Sequence, residues 1–187
     1  LNTTFTSAVT PDYGADNSEP PAEVTINTAG DGFTFTLAGG NQATGIDTGL
    51  TLSDAAGTQV YAYLSADART IEGRTADDGI GNGTQVFTLT IDQATGAITQ
   101  TQNQAFKHSV DTDGTGTTGV APLNGGTVTE GTYSTTSTPP DSVNLGKLDI
   151  SVSADVKTTD SDGDFVIQDV ATDDIADGFV FFDDGPA

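Results

Sequence analysis

Apolar residues recur at every second position in several short runs of this chain, and no window of about a dozen residues shows the three-and-four spacing of an amphipathic helix. The clearest run covers residues 147–157. Its apolar members are Leu148, Ile150, Val152, Ala154 and Val156, and its polar members are Asp149, Ser151, Ser153 and Asp155. Because side chains alternate between the two faces of a strand, this run predicts a β-strand with one buried and one solvated face.

A second run predicts a hairpin, in which Val86–Ile91 leads into the turn Asp92–Gly96 and the chain returns through Ala97–Thr99. Gly96 supplies the left-handed position of this turn. Further strands are predicted at Thr3–Val9, Val24–Asn27, Phe33–Leu37, Gln59–Leu64, Phe165–Val170 and Phe179–Asp183. The aromatic residues expected in the core are Phe33, Phe35, Phe87, Phe106, Phe165 and Phe179. Many short strands joined by Gly- and Asp-rich turns predict an all-β fold, a β-sandwich with long functional loops, in one domain over residues 1–187.

Residues 109–141 interrupt this pattern with a long loop excursion rich in Gly, Ser and Thr, with Pro139 and Pro140 near its end. Structureless segments of this length inside compact domains tend to be functional or disordered. Tyr133 lies in the excursion without a hydrophobic period around it, so it is a candidate for ligand recognition. The alternative is a loop tyrosine packed on the sandwich.

The charge of the chain restricts its partners. It has 27 acidic and 5 basic residues, for a formal net charge of −22, which disfavours binding to nucleic acid or to anionic membranes. Nearly all of the acidic residues are Asp, the residue that loops use to ligate hard divalent cations. The composition therefore predicts calcium as a partner.

Several other chemistries find no support in the sequence. The chain has no Cys, which excludes a disulfide framework, a thiol nucleophile and a zinc–thiolate site within it. His108 is its one histidine, and no Gly-x-Ser-x-Gly elbow is present, so we expect no enzyme. No apolar run approaches transmembrane length, and we expect neither a signal peptide nor a membrane anchor in this segment. The start at Leu1 and the end at Ala187 predict a segment of a longer polypeptide.

The strongest candidate for a metal site is the run Asp160-Ser161-Asp162-Gly163-Asp164 between two predicted strands. It places the carboxylates of Asp160, Asp162 and Asp164 at alternate positions of a tight turn, a spacing that can surround one calcium ion. The run is similar to the opening of an EF-hand loop, but Phe165 and Ala171 stand where that loop needs its Gly and its bidentate Glu, so an EF-hand is rejected. The alternative is a solvated acidic turn.

Four further acidic pairs are candidate calcium ligands, with an ordinary surface charge as the alternative for each. These are Asp12 with Asp16, Asp77 with Asp78, Asp111 with Asp113, and Asp183 with Asp184. The last pair lies where a predicted strand would leave the domain, a position at which an ion would stiffen a junction between tandem modules.

Several short motifs resemble, in the same order, the repeat modules of giant RTX adhesins. They are Leu50–Asp54, Val60–Leu64, Gly73-Arg74 before Asp77-Asp78, the hairpin Val86–Gly96, Ala105–His108, the run Asp160–Asp164 and Phe182–Pro186. The resemblance extends over nearly the whole chain. It implies a calcium-dependent β-sandwich, holding several Ca²⁺ ions, of a type I-secreted protein that stays on the outer membrane of a bacterium and mediates adhesion and biofilm formation.

The resemblance also implies two possible roles. Some modules of such adhesins extend the stalk and contact neighbouring modules only, whereas others bind the C-terminal residues of host-cell surface proteins through a bound calcium. The excursion at 109–141 favours peptide binding. In so acidic a protein, a carboxylate-binding site needs a metal with an open coordination position, and Asp111 and Asp113 with Tyr133 are the first candidates, with Asp77 and Asp78 as the rival pair. As an isolated domain the module is expected to be a monomer.

Overall fold

The computed structural model describes residues 23–52, 56–106, 128–129, 142–159 and 163–182. Within these ranges the strands are β1 Glu23–Ile26, β2 Phe33–Leu37, β3 Ile46–Thr51, β4 Gln59–Leu64, β5 Thr70–Arg74, β6 Gln85–Ile91, β7 Ile98–Gln102, β8 Val128–Thr129, β9 Ser142–Asn144, β10 Ile150–Thr159, β11 Phe165–Ala171 and β12 Val180–Phe182. A single 3₁₀ turn, Ala176–Gly178, is the helical element of the described residues, and none of these residues forms a helix capable of crossing a membrane. The predicted all-β sandwich is confirmed.

The first sheet is built around β10, which pairs with β11 along one side and with both β1 and β2 along the other. β1 lies opposite the second half of β10, with Glu23 beside Thr159, and β2 lies opposite the first half, with Leu37 beside Ile150. The loop 27–32 leaves the sheet between β1 and β2, so these two short strands follow one another along one long strand. All pairings are antiparallel.

The second sheet is an antiparallel meander in the order β3-β4-β5-β6-β7. The predicted hairpin is its last part, since β6 pairs with β7 from Phe87–Gln102 to Ile91–Ile98. Gly96 has a φ of 68°, and the Asp92 carboxylate accepts hydrogen bonds from the Thr95 amide and hydroxyl, both at 2.7 Å. The predicted left-handed conformation of Gly96 in this turn is thus confirmed. A small third sheet has the order β12-β9-β8.

The core lies between the first two sheets and is aromatic at one end, where the ring centroid of Phe181 lies 4.7 Å from that of Phe87 and 5.2 Å from that of Phe106. The apolar face of β10 is buried as predicted, with Ile150, Val152 and Val156 fully inaccessible. Five of the six predicted core aromatic residues are buried, namely Phe33, Phe35, Phe87, Phe106 and Phe179.

The prediction for Phe165 was wrong, because its side chain is 56 % exposed. Phe165 opens β11, which pairs with β10 alone among the described strands and is exposed along nearly its whole length. Phe165 pairs with Thr159, so its side chain lies on the same face of the sheet as Thr159 and Lys157, which is the outer face, opposite to the buried Val156.

Two strands of the second sheet, β3 and β5, were not among the predicted strands because glycine interrupts their patterns. In β3 the register shifts between Asp47 and Thr51, and Gly49 takes a φ of 76°. In β5, Gly73 is buried against Phe87, and any Cβ at this position would overlap the Phe87 ring. The missing side chain therefore makes room for a core aromatic residue.

The two ends of the sandwich carry different connections. We call one the hairpin end, because it carries the β4–β5 turn (65–69), the β6–β7 turn (92–97) and the β10–β11 turn. The other is the loop end, which carries the β3–β4 connection (52–58) and the long β5–β6 loop (75–84). At the hairpin end, Gln93 and Arg69 donate hydrogen bonds to carbonyl oxygens of the loop 27–32 at 3.0–3.2 Å and so fasten the first sheet to the second.

Candidate calcium and ligand sites

Most of the predicted site residues lie outside the described residues. This holds for Asp12, Asp16, Asp111, Asp113, Tyr133, Asp160, Asp162, Asp183 and Asp184. Asp77, Asp78 and Asp164 are described. The strand predicted at Thr3–Val9 and all but residues 128 and 129 of the excursion 109–141 are likewise outside. The structure does show the positions of the described residues that flank these segments.

Asp164 lies immediately before β11, in the connection that joins β10 to β11 at the hairpin end. Gly163 before it has a φ of 100°, a conformation open to glycine and strained for other residues. Thr159, the last residue of β10, pairs with Phe165 on one side and with Glu23 on the other. Glu23 at the start of β1, Thr159 at the end of β10 and Asp164 before β11 therefore lie at the same end of one sheet.

Asp77 and Asp78 lie in the β5–β6 loop at the loop end, and both are exposed. Tyr63 holds this loop from beneath, because its hydroxyl donates to the Ala76 carbonyl oxygen at 2.6 Å and accepts from the Gly79 amide at 3.4 Å. The Tyr63 side chain is fully buried, although it lies on the face of β4 opposite to the core. This role of Tyr63 was not predicted from the sequence, because a tyrosine between Ala62 and Leu64 is typical of an ordinary strand.

Arg74 and Gln42 fasten the same loop from its sides. The Arg74 guanidinium pairs with Glu72 at 2.6 Å and donates to the carbonyl oxygens of Asn82 and Gly83, each at 3.3 Å. The Gln42 carbonyl oxygen accepts a hydrogen bond from the Ile80 amide at 2.7 Å. Asp77 and Asp78 are thus presented to solvent on a loop whose backbone is held by neighbouring strands.

Among the residues that the structure describes, no three His, Cys, Asp or Glu side chains come together in a group that could hold a metal ion. Asp77 and Asp78 supply two carboxylates, and calcium takes six to eight oxygen ligands. A calcium ion at this loop would need further oxygen ligands, such as backbone carbonyl groups, water or other side chains. The calcium sites thus remain predictions.

The excursion leaves the described chain at the loop end. Phe106, the last described residue before it, forms an isolated antiparallel bridge with Leu52, which follows β3. The amide of Asn103 donates to the Val86 carbonyl oxygen at 2.7 Å, so the chain between β7 and Phe106 follows the start of β6. Asp111 is five residues beyond Phe106, a reach of at most about 18 Å for an extended chain. The two rival candidate pairs, Asp111 with Asp113 and Asp77 with Asp78, thus belong to segments that meet the sandwich at one end.

Other described aspartates have structural roles that the sequence did not reveal. The Asp174 carboxylate accepts hydrogen bonds from the amides of Ile150 at 2.9 Å and Ala176 at 3.0 Å, and so joins the start of β10 to the 3₁₀ turn. Asp47 pairs with the Lys147 ammonium at 2.5 Å. Partial burial raises the pKa of Asp47, but hydrogen bonds from Lys147, Gly49 and Gln59, together with the charge of Lys147, outweigh burial and hold that pKa below its ordinary value. These carboxylates are engaged by protein groups.

Together, the fold and the acidic loops define an all-β sandwich with aspartate-bearing connections at both ends. The chain belongs to the family described as a domain of unknown function, DUF5801, whose model matches residues 2–133. The match includes β1 to β8 and ends before β9, so the central strand β10 lies beyond it although β10 pairs with β1 and β2. No curated protein and no solved structure matches the chain.

Proposed function

We propose that this protein is a calcium-dependent ligand-binding module of a bacterial cell-surface adhesin, and that it captures the C-terminal residues of host-cell surface proteins through a bound calcium ion. Calcium would be held by aspartates of the loop end, from the β5–β6 loop and the excursion. It would supply the positive charge that a peptide carboxylate requires. The module would act outside the cell as part of a longer polypeptide.

One observation carries this proposal: Phe106, the last described residue before the excursion, lies at the same end of the sandwich at which Asp77 and Asp78 are exposed. A net charge of −22 opposes the approach of any free carboxylate, so a protein of this composition needs a cation to bind one. Tyr63, Arg74 and Gln42 hold the β5–β6 loop by hydrogen bonds. A fixed loop loses little conformational freedom on binding an ion or a ligand, which favours affinity.

The proposal is tested with a library of short peptides that differ only in having a free or an amidated C-terminus. We expect some free-acid peptides to bind the calcium-loaded protein, and both amidation and chelation to abolish that binding. Replacement of Asp77 and Asp78 by Asn, or of Asp111 and Asp113 by Asn, identifies the pair that contributes. Asp31→Asn, at an exposed position of the loop 27–32 at the hairpin end, is the matched control. Failure of every free-acid peptide to bind in the presence of calcium would refute peptide capture.

A second role, that of a calcium-rigidified spacer in the adhesin stalk, is favoured by the course of the described chain. β1 begins at the hairpin end, where Glu23 pairs with Thr159. The last described strand, β12, runs toward the loop end, because the Val180 carbonyl oxygen accepts a hydrogen bond from Gln100 in the middle of β7 and the Phe181 ring packs on Phe106 at the loop end. A module whose first described strand begins at one end and whose last described strand runs toward the other is suited to a linear array.

Both roles require calcium in the native state, and they differ in the ligand. We expect chelation at fixed ionic strength to lower the melting temperature by several degrees or more, because binding free energy is lost and clustered carboxylates lose their counter-charge. Magnesium at the same concentration is the control, since it fits an all-protein cage of oxygens less well. Stabilisation by calcium without binding of any peptide would favour the spacer, and an unchanged melting temperature would refute calcium dependence.

A further inference from the structure

Strand β11 leaves an ordered row of backbone groups without a partner strand among the described residues. It pairs with β10 from Phe165 opposite Thr159 to Ala171 opposite Ser153, and with no other described strand. The identity of the outward-facing groups follows from the ladder. One residue beyond β11, the amide of Thr172 donates to the Val152 carbonyl oxygen at 2.8 Å. Because inward and outward groups alternate in an antiparallel pair, the even-numbered residues of β11 face β10 and the odd-numbered residues face away.

The opposite side of β10 supports the same assignment. Asp155 pairs in register with Asp169 of β11. Its amide and carbonyl groups are bonded to Gly32 at 3.2 Å and Asn27 at 2.8 Å on the β1–β2 side, so they do not face β11. The backbone groups of Phe165, Ile167, Asp169 and Ala171 therefore point toward the free edge.

The side chains at this edge are unusually apolar for an exposed strand. Phe165 and Val166 are each 56 % exposed and Ile167 is 44 % exposed. Because successive residues alternate in direction, Phe165 and Ile167 lie on the outer face of the sheet and Val166 on the other face. Unpaired apolar edge strands are templates for the addition of another strand, and proteins commonly protect them with charge or proline. β11 has no proline, and its single charged residue is Asp169.

The charge around the edge selects the kind of partner. Asp164 precedes β11, Asp169 lies within it and Asp173 follows it, whereas the nearest described cation, Lys157, lies over the Phe165 ring at 4.2 Å from the centroid. A second copy of this chain would bring another net charge of −22 to the same edge. Electrostatic complementarity therefore favours a cationic partner over self-association.

We propose that the free edge of β11 is a docking site for an extended peptide segment with alternating apolar residues and at least one Lys or Arg, which binds by β-strand addition. Main-chain hydrogen bonds to the four outward-facing residues supply the pairing. Apolar side chains of the partner cover Phe165, Val166 and Ile167, and its cation lies opposite Asp169. This surface is separate from the proposed calcium-dependent capture of peptide C-termini and requires neither calcium nor a terminal carboxylate.

The test uses a labelled seven-residue peptide of alternating Val with Lys and Thr, acetylated and amidated so that it has no terminal charge. We expect this probe to bind the whole chain, as measured by fluorescence anisotropy, and to bind more weakly as salt is raised. The same peptide with Glu in place of Lys should bind at least about tenfold more weakly, because like charges would then face each other at Asp169.

Three variants locate the binding. Ile167→Pro removes one outward-facing amide and leaves the bonds to β10 in place, so binding should fall by about tenfold or more. Ile167→Val keeps the amide and the β-branched side chain, and should bind like the parent protein. Ile167→Lys adds repulsion at an exposed side chain without touching the backbone, which keeps the test informative if the proline variant does not fold.

Each outcome decides the proposal. Loss of binding in folded Ile167→Pro or Ile167→Lys, with retention in Ile167→Val, supports it. No binding of the cationic probe, or equal binding by all variants, overturns it. A homodimer in sedimentation experiments that dissociates upon Ile167→Pro, without probe binding, also overturns it by making the occupant a second copy. Since the probe has no free carboxylate, none of these results bears on the capture of peptide C-termini.

Discussion

Strands β10 and β11 are antiparallel neighbours over seven residue pairs, yet their environments are opposite. In β10, every second residue from Ile150 to Val156 is almost completely buried, whereas β11 is exposed at six of its seven positions. Both strands contain Val and Ile, so composition does not explain the difference. β10 has strands on both sides, whereas β11 pairs with β10 alone among the described strands, and its residues Phe165 and Ile167 lie on the outer face of the sheet. The number of layers and neighbours around a strand therefore decides what its apolar side chains do.

The largest expected effect comes from truncating the same residue type in the two strands. Ile150→Ala should destabilise the protein by about 2–5 kcal/mol, because it removes a fully buried side chain and leaves a cavity in the core. Ile167→Ala should cost less than about 1 kcal/mol, because this side chain is already 44 % exposed. Urea unfolding monitored by circular dichroism measures both. Equal shifts of the two midpoints would contradict the difference between the strands.

An intermediate effect is expected where a carboxylate anchors the start of β10. Asp174→Ala leaves the amides of Ile150 and Ala176 without their acceptor, and we expect a loss of roughly 1–3 kcal/mol. Asp173→Ala removes an exposed neighbouring carboxylate outside this hydrogen-bonded pair, and should change stability by less than about 0.5 kcal/mol. Equal effects of the two substitutions in urea unfolding would show that only the local charge matters.

The smallest effect concerns the contact between the Lys157 ammonium and the exposed Phe165 ring of β11. The Lys157 ammonium lies 4.2 Å from the centroid of Phe165, and exposed cation–π contacts contribute about 0.5–1 kcal/mol. Lys157→Gln should lose this amount, whereas Lys157→Arg should retain most of it. A double-mutant cycle with Phe165→Leu isolates the pairwise interaction. A coupling energy of zero would leave Phe165 without any stabilising partner on this face.

The strands and turns that follow a local sequence rule are the ones that were predictable from the sequence. The alternation around Ile150 and Val152 predicted both the strand and its buried face, because a central strand with one covered face imposes a period of two. The turn at Asp92–Gly96 was likewise predictable, since its hydrogen bonds and its positive φ are local. Phe165 misled the same reasoning, because alternation states which side chains share a face and not whether a second layer lies above that face.

The candidate sites were predictable in a more restricted sense. Acidic spacing in the sequence identified Asp77 and Asp78 and the run 160–164 as possible calcium ligands, and it could not indicate that these segments lie at opposite ends of the sandwich. Nor could it identify Tyr63 as the residue that holds the β5–β6 loop. The partners of Tyr63, Ala76 and Gly79, are 13 and 16 residues away and are brought to it by the pairing of β4 with β5.

The sequence by itself determined the strand content, the acidity and the local turns, because each of these depends on residue types within a few positions of one another. Only the tertiary structure decided that β10 is central and β11 an edge among the described strands, and that Phe106, the last described residue before the excursion, lies at the end that carries Asp77 and Asp78. These outcomes depend on pairings between residues more than a hundred positions apart, such as Glu23 with Thr159 and Phe33 with Ala154. Such pairings are selected by the free energy of burying whole sheet faces together, which no local pattern specifies.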